Sequence, residues 1–76
     1  MAKAITYKTY TIKSLPLQLG QQWHPEITII WTDSGALTMR KFSPDRTHRT
    51  EIEADLHGIN YAQSVIDGTV PGQSVS

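Results

Sequence analysis

Three stretches of the chain alternate between hydrophobic and polar residues at period two, which is the pattern of strands with one buried face. They cover residues 5 to about 17, 26–32 and 36–42, and they contain many of the branched and aromatic side chains that suit a pleated sheet. Turn-forming residues separate them, so consecutive strands are expected to pair antiparallel. The pattern therefore predicts a three-stranded antiparallel meander.

The alternation in the first stretch changes phase partway along. Ile5 and Tyr7 share one parity, whereas Tyr10 and Ile12 share the other. We expect either a β-bulge or a strand that is buried on both faces. Pro16 cannot donate a hydrogen bond to a neighbouring strand, so it should lie at a strand edge or end.

Two glycines mark turns between the predicted strands. Gly20, within the turn 19–22, is free to adopt a positive φ angle. Between the second and third strands, Asp33 and Gly35 flank a serine in a combination typical of a tight hairpin turn. We therefore expect the last two strands to form a β-hairpin.

A helix follows the third strand. Thr50 precedes Glu53 by three residues, which is the spacing of a helical capping box. Gly68 provides a C-terminal stop, so the helix should have about 17 residues. The predicted fold is a single small α+β domain, residues 1–68, of order β-β-β-α with the C-terminal helix packed on one face of the sheet. Residues 69–76 are expected to form a disordered tail.

The helix carries two adjoining apolar arcs. The first is expected to face the core and consists of Ile52, Leu56, Ile59 and Ile66. The second has small residues that permit close approach, and one explanation is that the first strand curls over it. The other explanation is a contact between helices of two copies. The candidate self-association residues are Ala54, Gly58, Tyr61, Ala62 and Val65.

Length and composition exclude several classes of protein. A chain of 76 residues has room for one small core, which excludes a multidomain enzyme. It contains no cysteine, so disulfides and thiolate chemistry are excluded. No apolar run approaches the roughly 20 residues of a membrane span, and the start lacks the apolar stretch of a signal peptide. We therefore expect a cytoplasmic protein with no membrane partner.

The net charge is zero but unevenly distributed. Residues 1–49 hold all seven Lys and Arg against three acidic residues, which leaves +4. Residues 50–76 hold four acidic residues and no Lys or Arg, which leaves −4. The two halves either complement each other within one fold or guide association with another copy or a partner.

Motifs for catalysis or metal binding are lacking. The sequence has no nucleophile elbow and no glycine-rich phosphate loop. Glu53 and His57 have the i, i+4 spacing of two metal ligands, but His24 and His48 lie elsewhere without ligand spacing. We therefore expect no enzymatic activity, metal, cofactor or small-molecule substrate.

Nucleic-acid binding is the alternative function. Positive charge is concentrated around the exit of the third strand, at Arg40, Lys41, Arg46 and Arg49. The stacking surfaces would come from Tyr7, Tyr10, Trp31 and Phe42. A net charge of zero argues against it, because dedicated nucleic-acid binders are usually basic. The first hypothesis is therefore a non-enzymatic interaction or regulatory module, a homodimer or the partner of another protein.

Overall fold

The computed structural model of the protein describes residues 3–70 and 72, and it forms an antiparallel sheet with one C-terminal helix. The small α+β class is thereby confirmed, but the prediction of three strands was wrong because the described residues form six. Four of them make one sheet in the order β1-β2-β5-β6, and β3 pairs with β4 as a two-stranded ribbon. The elements are β1 Lys3–Tyr7, β2 Tyr10–Ser14, β3 Leu17–Leu19, β4 Gln22–His24, β5 Ile27–Asp33, β6 Ala36–Phe42 and α1 Glu51–Asp67.

The first predicted strand is divided by a tight hairpin rather than by a bulge. β1 and β2 are joined by a two-residue turn in which Lys8 has a φ of 56°. The turn places Ile5 opposite Ile12 and Tyr7 opposite Tyr10, so all four side chains share one face of the sheet. The change of phase in the sequence is therefore the signature of a hairpin, and the expected bulge or doubly buried strand was wrong.

A pair of facing prolines separates β2 and β5 from the ribbon. Ser14 pairs with Ile27 and Leu17 pairs with His24, so the register continues without a slip from the sheet into the ribbon. In that register Pro16 faces Pro25, and both are buried. The adjacent pair is joined by a hydrogen bond of 2.9 Å from the Leu15 amide to the Glu26 carbonyl, so the prolines lie at the next, non-hydrogen-bonded pair, where they need no amide hydrogen. This confirms that Pro16 lies at the end of a strand.

The predicted hairpin between the last two strands is confirmed. β5 and β6 pair along their full length, ending at Asp33 opposite Ala36. The two turn residues, Ser34 and Gly35, have φ angles of 53° and 82°. Positive φ at both central positions matches the twist of the flanking strands. The turn predicted at Gly20 is also present, with a φ of 65°.

Both helix ends agree with the sequence. The Thr50 hydroxyl accepts a hydrogen bond from the Glu53 amide at 3.1 Å. At the other end, Gly68 has a left-handed φ of 75° and its amide donates to the Val65 carbonyl at 3.1 Å. These caps satisfy backbone groups that the helix itself leaves unpaired.

The inner face of the helix is not the predicted one. Ile52 and Leu56, expected in the core, are 68% and 53% exposed, whereas Ile59 and Ile66 are half-buried. Small residues line the contact with the sheet instead. A Cβ built on Gly58 would lie 3.1 Å from Ile27 Cγ2, which shows how closely the backbones approach. Close packing therefore selects the small residues, and the larger ones point outward.

The helix covers one face of the four-stranded sheet. The buried apolar core comes from both layers, and a buried hydrogen bond of 2.6 Å from the Ser14 hydroxyl to the Asp55 carboxylate joins them. At the far end, the Asp67 carboxylate accepts hydrogen bonds from Tyr7 at 2.8 Å and Lys8 at 2.6 Å. The buried apolar residues are Ile12, Ile27, Ile29, Phe42, Ala54, Ala62 and Val65.

The first two residues of the predicted tail, Thr69 and Val70, contact the rest of the domain. Thr69 donates its amide to the Ser64 carbonyl at 2.9 Å, and Val70 is half-buried against the core. Most of the remaining tail, residues 71 and 73–76, lies outside the described residues. Within the described part of the chain, no helix has the length and apolar character needed to cross a membrane.

Candidate functional site

The face of the sheet opposite the helix is uncovered, and we call it the open face. Strand register assigns alternate residues of the four strands to it, in rows that run across the sheet. Three rows make up this face: Ala4, Lys13, Thr28 and Lys41; Thr6, Thr11, Ile30 and Met39; and Thr32 and Leu37.

Exposed apolar side chains concentrate on this side of the molecule. Leu37 is 72% exposed and Met39 is 56% exposed, and Met39 pairs with the half-buried Ile30. Leu15, just before the proline pair, and Leu17 and Leu19, beyond it, follow the same alternation and are also exposed. Within the described residues, these five side chains outnumber the two large apolar residues exposed on the helix. A patch of this kind is typical of a contact surface.

Two shallow grooves meet on the open face beside Leu15. One, of about 330 Å³, is lined by Leu15, Leu17 and Lys41 among other residues. The second, of about 340 Å³, lies on the other side of Leu15 and is lined by Lys3 and Lys13. Thr28 belongs to both grooves. At this end of the open face, Lys13 and Lys41 therefore flank an apolar floor that also contains the carboxylate of Glu26.

The acidic residues are largely engaged within the chain. Asp67 has a pKa below the usual range because it accepts hydrogen bonds first from Lys8 and then from Tyr7. Asp55 accepts from Ser14. The other engaged carboxylates are Glu26, which accepts from the Ser43 hydroxyl, and Glu53, which accepts from Thr50 at 3.2 Å.

The two lysines of the open face have no such partners. Within residues 3–70 and 72, Lys13 and Lys41 form no hydrogen bond or ion pair. Contact between the two halves neutralises part of the charge asymmetry of the sequence, as in the ion pair of Lys8 with Asp67 at 2.6 Å. It leaves Lys13 and Lys41 unpaired on the uncovered side of the sheet.

The candidate self-association residues lie on the inner side of the helix. Tyr61 is half-buried, with its ring 6.4 Å from that of Phe42. Because this arc packs on the sheet of its own chain, it has no free surface for a second copy. The sheet itself covers the second apolar arc, whereas the first explanation required the first strand to curl over that arc while the other arc faced the sheet. The buried members of the set are Ala54, Gly58, Ala62 and Val65.

The candidate nucleic-acid residues do not form one patch. Arg40 lies on the helix side of β6, with its guanidinium 5.3 Å from the centre of the Phe42 ring. The adjacent Lys41 belongs to the open face. Arg46 and Arg49 lie in the loop before the helix, where both are exposed. The structure therefore divides the four cations among three surroundings.

The aromatic residues offered for base stacking lie on the covered face. Tyr10 and Trp31 contact each other with ring centres 5.8 Å apart, and both pack against the core. Tyr7 also packs there, and Phe42 is buried. The open face, made of threonine, lysine and aliphatic residues, presents no aromatic ring from these strands.

The three histidines come closer together than their sequence positions suggest. The His48 and His57 rings stack at 4.4 Å and 11°, and His24 Nε2 lies 2.9 Å from the Pro44 carbonyl oxygen. Burial first, and then the neighbouring His57, hold the pKa of His48 below its usual range. No group of three potential metal ligands occurs within the described residues. The cluster therefore lacks the ligand count of a metal site.

Sequence reasoning missed the open face as a site. The available signal was Ile30 on an otherwise polar side of a strand, followed by Leu37 and Met39 on the same side of the next. Comparison with protein-family models, curated proteins and solved structures finds no match to this chain. The geometry of the open face therefore carries the functional argument.

Proposed function

We propose that the protein is a non-enzymatic interaction module that binds another polypeptide on the open face of its sheet. The observation that carries this proposal is the uneven covering of the sheet. One face is packed under the helix, whereas the other exposes 72% of Leu37 and 56% of Met39 to solvent, with Met39 beside Ile30. Burying this apolar surface against a partner supplies the free energy of association.

The open face has the size of a small interface. Four strands at about 4.8 Å each give a width of roughly 19 Å, and the seven residues of β5 at about 3.3 Å each give a length of roughly 23 Å. The four-stranded part therefore offers about 440 Å², and the ribbon extends it. Because a typical stable complex uses about 800 Å² from each partner, we expect a contact of modest affinity. A second copy and a different chain both fall within this proposal.

Nucleic-acid binding receives less support from the same geometry. The open face has cations but lacks the aromatic platform that would stack bases. Arg46 and Arg49 lie in the loop before the helix, whereas Lys41 lies on the open face, so these cations do not form one patch. A polypeptide partner uses the apolar part of the face, which phosphate contacts leave unused.

Photo-crosslinking at matched positions tests the proposal. The photoreactive residue benzoylphenylalanine is placed either at Met39 on the open face or at Leu56 on the outer side of the helix. These side chains are 56% and 53% exposed, so their access to solvent is alike. We expect a discrete adduct in living cells from position 39 and none from position 56. An adduct of twice the chain mass identifies a second copy.

Sedimentation of the purified protein completes the test. If two copies cover the open face, the molecular mass rises between about 1 and 100 µM, and the melting temperature rises with it. Substitution Leu37→Lys should abolish that rise, while Ile52→Lys, at a comparably exposed helical position, should not. Equal crosslinking from both positions, or none from position 39, refutes the open face as the contact surface.

A further inference from the structure

We infer that the open face takes an acidic amphipathic helix from a different protein. This inference rests on the proposed function and names the chemistry of the partner. The helix would lie along β5, with apolar residues toward the sheet and carboxylates along both flanks. It would complete a third layer, so that the sheet is covered by a helix on each face.

The apolar centre of the open face fits the width of one helix. Ile30 lies on the second strand from the edge, with Met39 beside it on β6. Toward the other end, Leu15 and Leu17 continue the apolar surface past Thr28, beside the Glu26 carboxylate, which accepts a hydrogen bond from Ser43. A helix with its side chains is about 10 Å across, which corresponds to about two strand spacings. One helix over β5 therefore covers this stripe without reaching the outer margins.

Unpaired lysines stand on both flanks of that stripe. Lys13 on β2 and Lys41 on β6 both pair with Thr28 on β5, so they lie one strand to either side of it. Their backbones are thus about 10 Å apart, the diameter of a helix. Neither lysine has a carboxylate partner within the described residues. Glutamates on the flanks of the docked helix would meet them.

A second copy of this chain fits the open face poorly. Two open faces brought together by a two-fold axis near Thr28 would oppose their lysine rows, which disfavours that packing. The outer side of α1 carries Ile52, Leu56 and Glu53, but it lies on the opposite side of the molecule. Docking it on another copy's open face joins copies head to tail and leaves an unfilled face at each end. A different chain would cover the open face in a one-to-one complex and leave no second face unfilled.

A designed peptide tests the chemistry of recognition directly. The probe is a fluorescein-labelled helix of about 18 residues, roughly 27 Å long, with a leucine stripe and glutamates on both flanks. The matched control peptide replaces each glutamate with glutamine. We expect fluorescence anisotropy to show binding about tenfold tighter for the glutamate peptide at about 50 mM salt. That preference should shrink at about 300 mM salt, because exposed charges are screened.

Charge reversal on the protein assigns the site. The double variant Lys13→Glu, Lys41→Glu should remove the preference for the glutamate peptide. The double variant Arg46→Glu, Arg49→Glu makes the same change of charge in the loop and should keep it. All four positions are exposed, and circular dichroism confirms that both variants are folded. Equal binding of the two peptides, or equal effects of the two variants, overturns the inference.

These outcomes are distinct from failure of the proposed function. If crosslinking at Met39 succeeds but the peptides bind equally, the open face is a contact surface and the acidic helix is wrong. A sedimenting dimer that Leu37→Lys abolishes likewise replaces the helix with a second copy. Binding of a single-stranded oligonucleotide that depends on Lys13 and Lys41, stronger than that of the glutamate peptide, also overturns it.

Discussion

The two faces of the four-stranded sheet use the same backbone and differ almost entirely in what covers them. Ile29 and Ile30 are neighbours in β5, yet Ile29 is fully buried beneath the helix while Ile30 sits half-exposed on the open face. The covered face is closed by small helical residues and a buried hydrogen bond. The open face instead presents unpaired lysines around aliphatic side chains. Stability thus belongs to one face, and we assign recognition to the other.

The adjacent isoleucines give the largest expected difference between the faces. Ile29→Ala opens a cavity in the core and should lower the free energy of unfolding by about 2 to 5 kcal/mol. Ile30→Ala removes the same atoms from the open face and should cost about 1 kcal/mol or less. Urea denaturation of the two variants measures both values. Equal losses would show that the open face is covered in the free protein.

A second substitution probes the close approach of helix and sheet. Gly58→Val forces side-chain atoms against Ile27 and Pro25, whose nearest carbons lie 3.1 and 3.3 Å from a Cβ built at position 58. We expect a loss of about 1 to 3 kcal/mol in unfolding free energy. Asn60→Val is the control on an exposed position of the same helix and should change stability by about 0.5 kcal/mol or less. A stable Gly58→Val protein would contradict the assigned inner face.

The smallest effect concerns the exposed contact that ties the helix end to the first hairpin. The pKa of Asp67 is lowered by Lys8 and Tyr7, so its carboxylate contributes stability above its unfolded pKa, near 4. That contribution is lost as the pH falls through the lower folded pKa. Asp67→Asn should therefore melt slightly below the wild type at pH 7, with the gap closing below about pH 4. A gap that stays constant in acid would show that Asp67 acts without its charge.

Local signals in the sequence predict the parts of the fold that depend on a few adjacent residues. The N-cap at Thr50, the stop at Gly68 and the hairpin turn before Ala36 all occur where expected, although Glu53 accepts from the Thr50 hydroxyl and not from its amide as a capping box requires. Each depends on backbone geometry that particular residue types favour. The first hairpin was missed because Lys8 adopts a positive φ without glycine, asparagine or proline to mark the turn.

The helix face was misassigned for a different reason. Hydrophobicity alone favours Ile52 and Leu56 as core residues, but the contact distance to the sheet is set by Gly58 and its small neighbours. Shape complementarity between two layers is a property of the folded pair and has no counterpart in the pattern of one helix. The sequence prediction consequently placed the candidate self-association residues on the outer side of the helix, whereas they lie on the side that packs on the sheet. The open face depends on strand pairing and was equally hidden from the sequence.

The facing prolines also leave the ribbon fixed to the rest of the molecule. The Leu15 amide donates to the Glu26 carbonyl at 2.9 Å beside them, and Trp23 and His48 exchange two backbone hydrogen bonds of 2.7 and 2.8 Å. Leu17 and Leu19 are exposed on this ribbon, so their positions are set both by the pairing of β3 with β4 and by the loop before the helix. A backbone ladder rather than a free loop thus carries the exposed leucines beyond the four-stranded sheet.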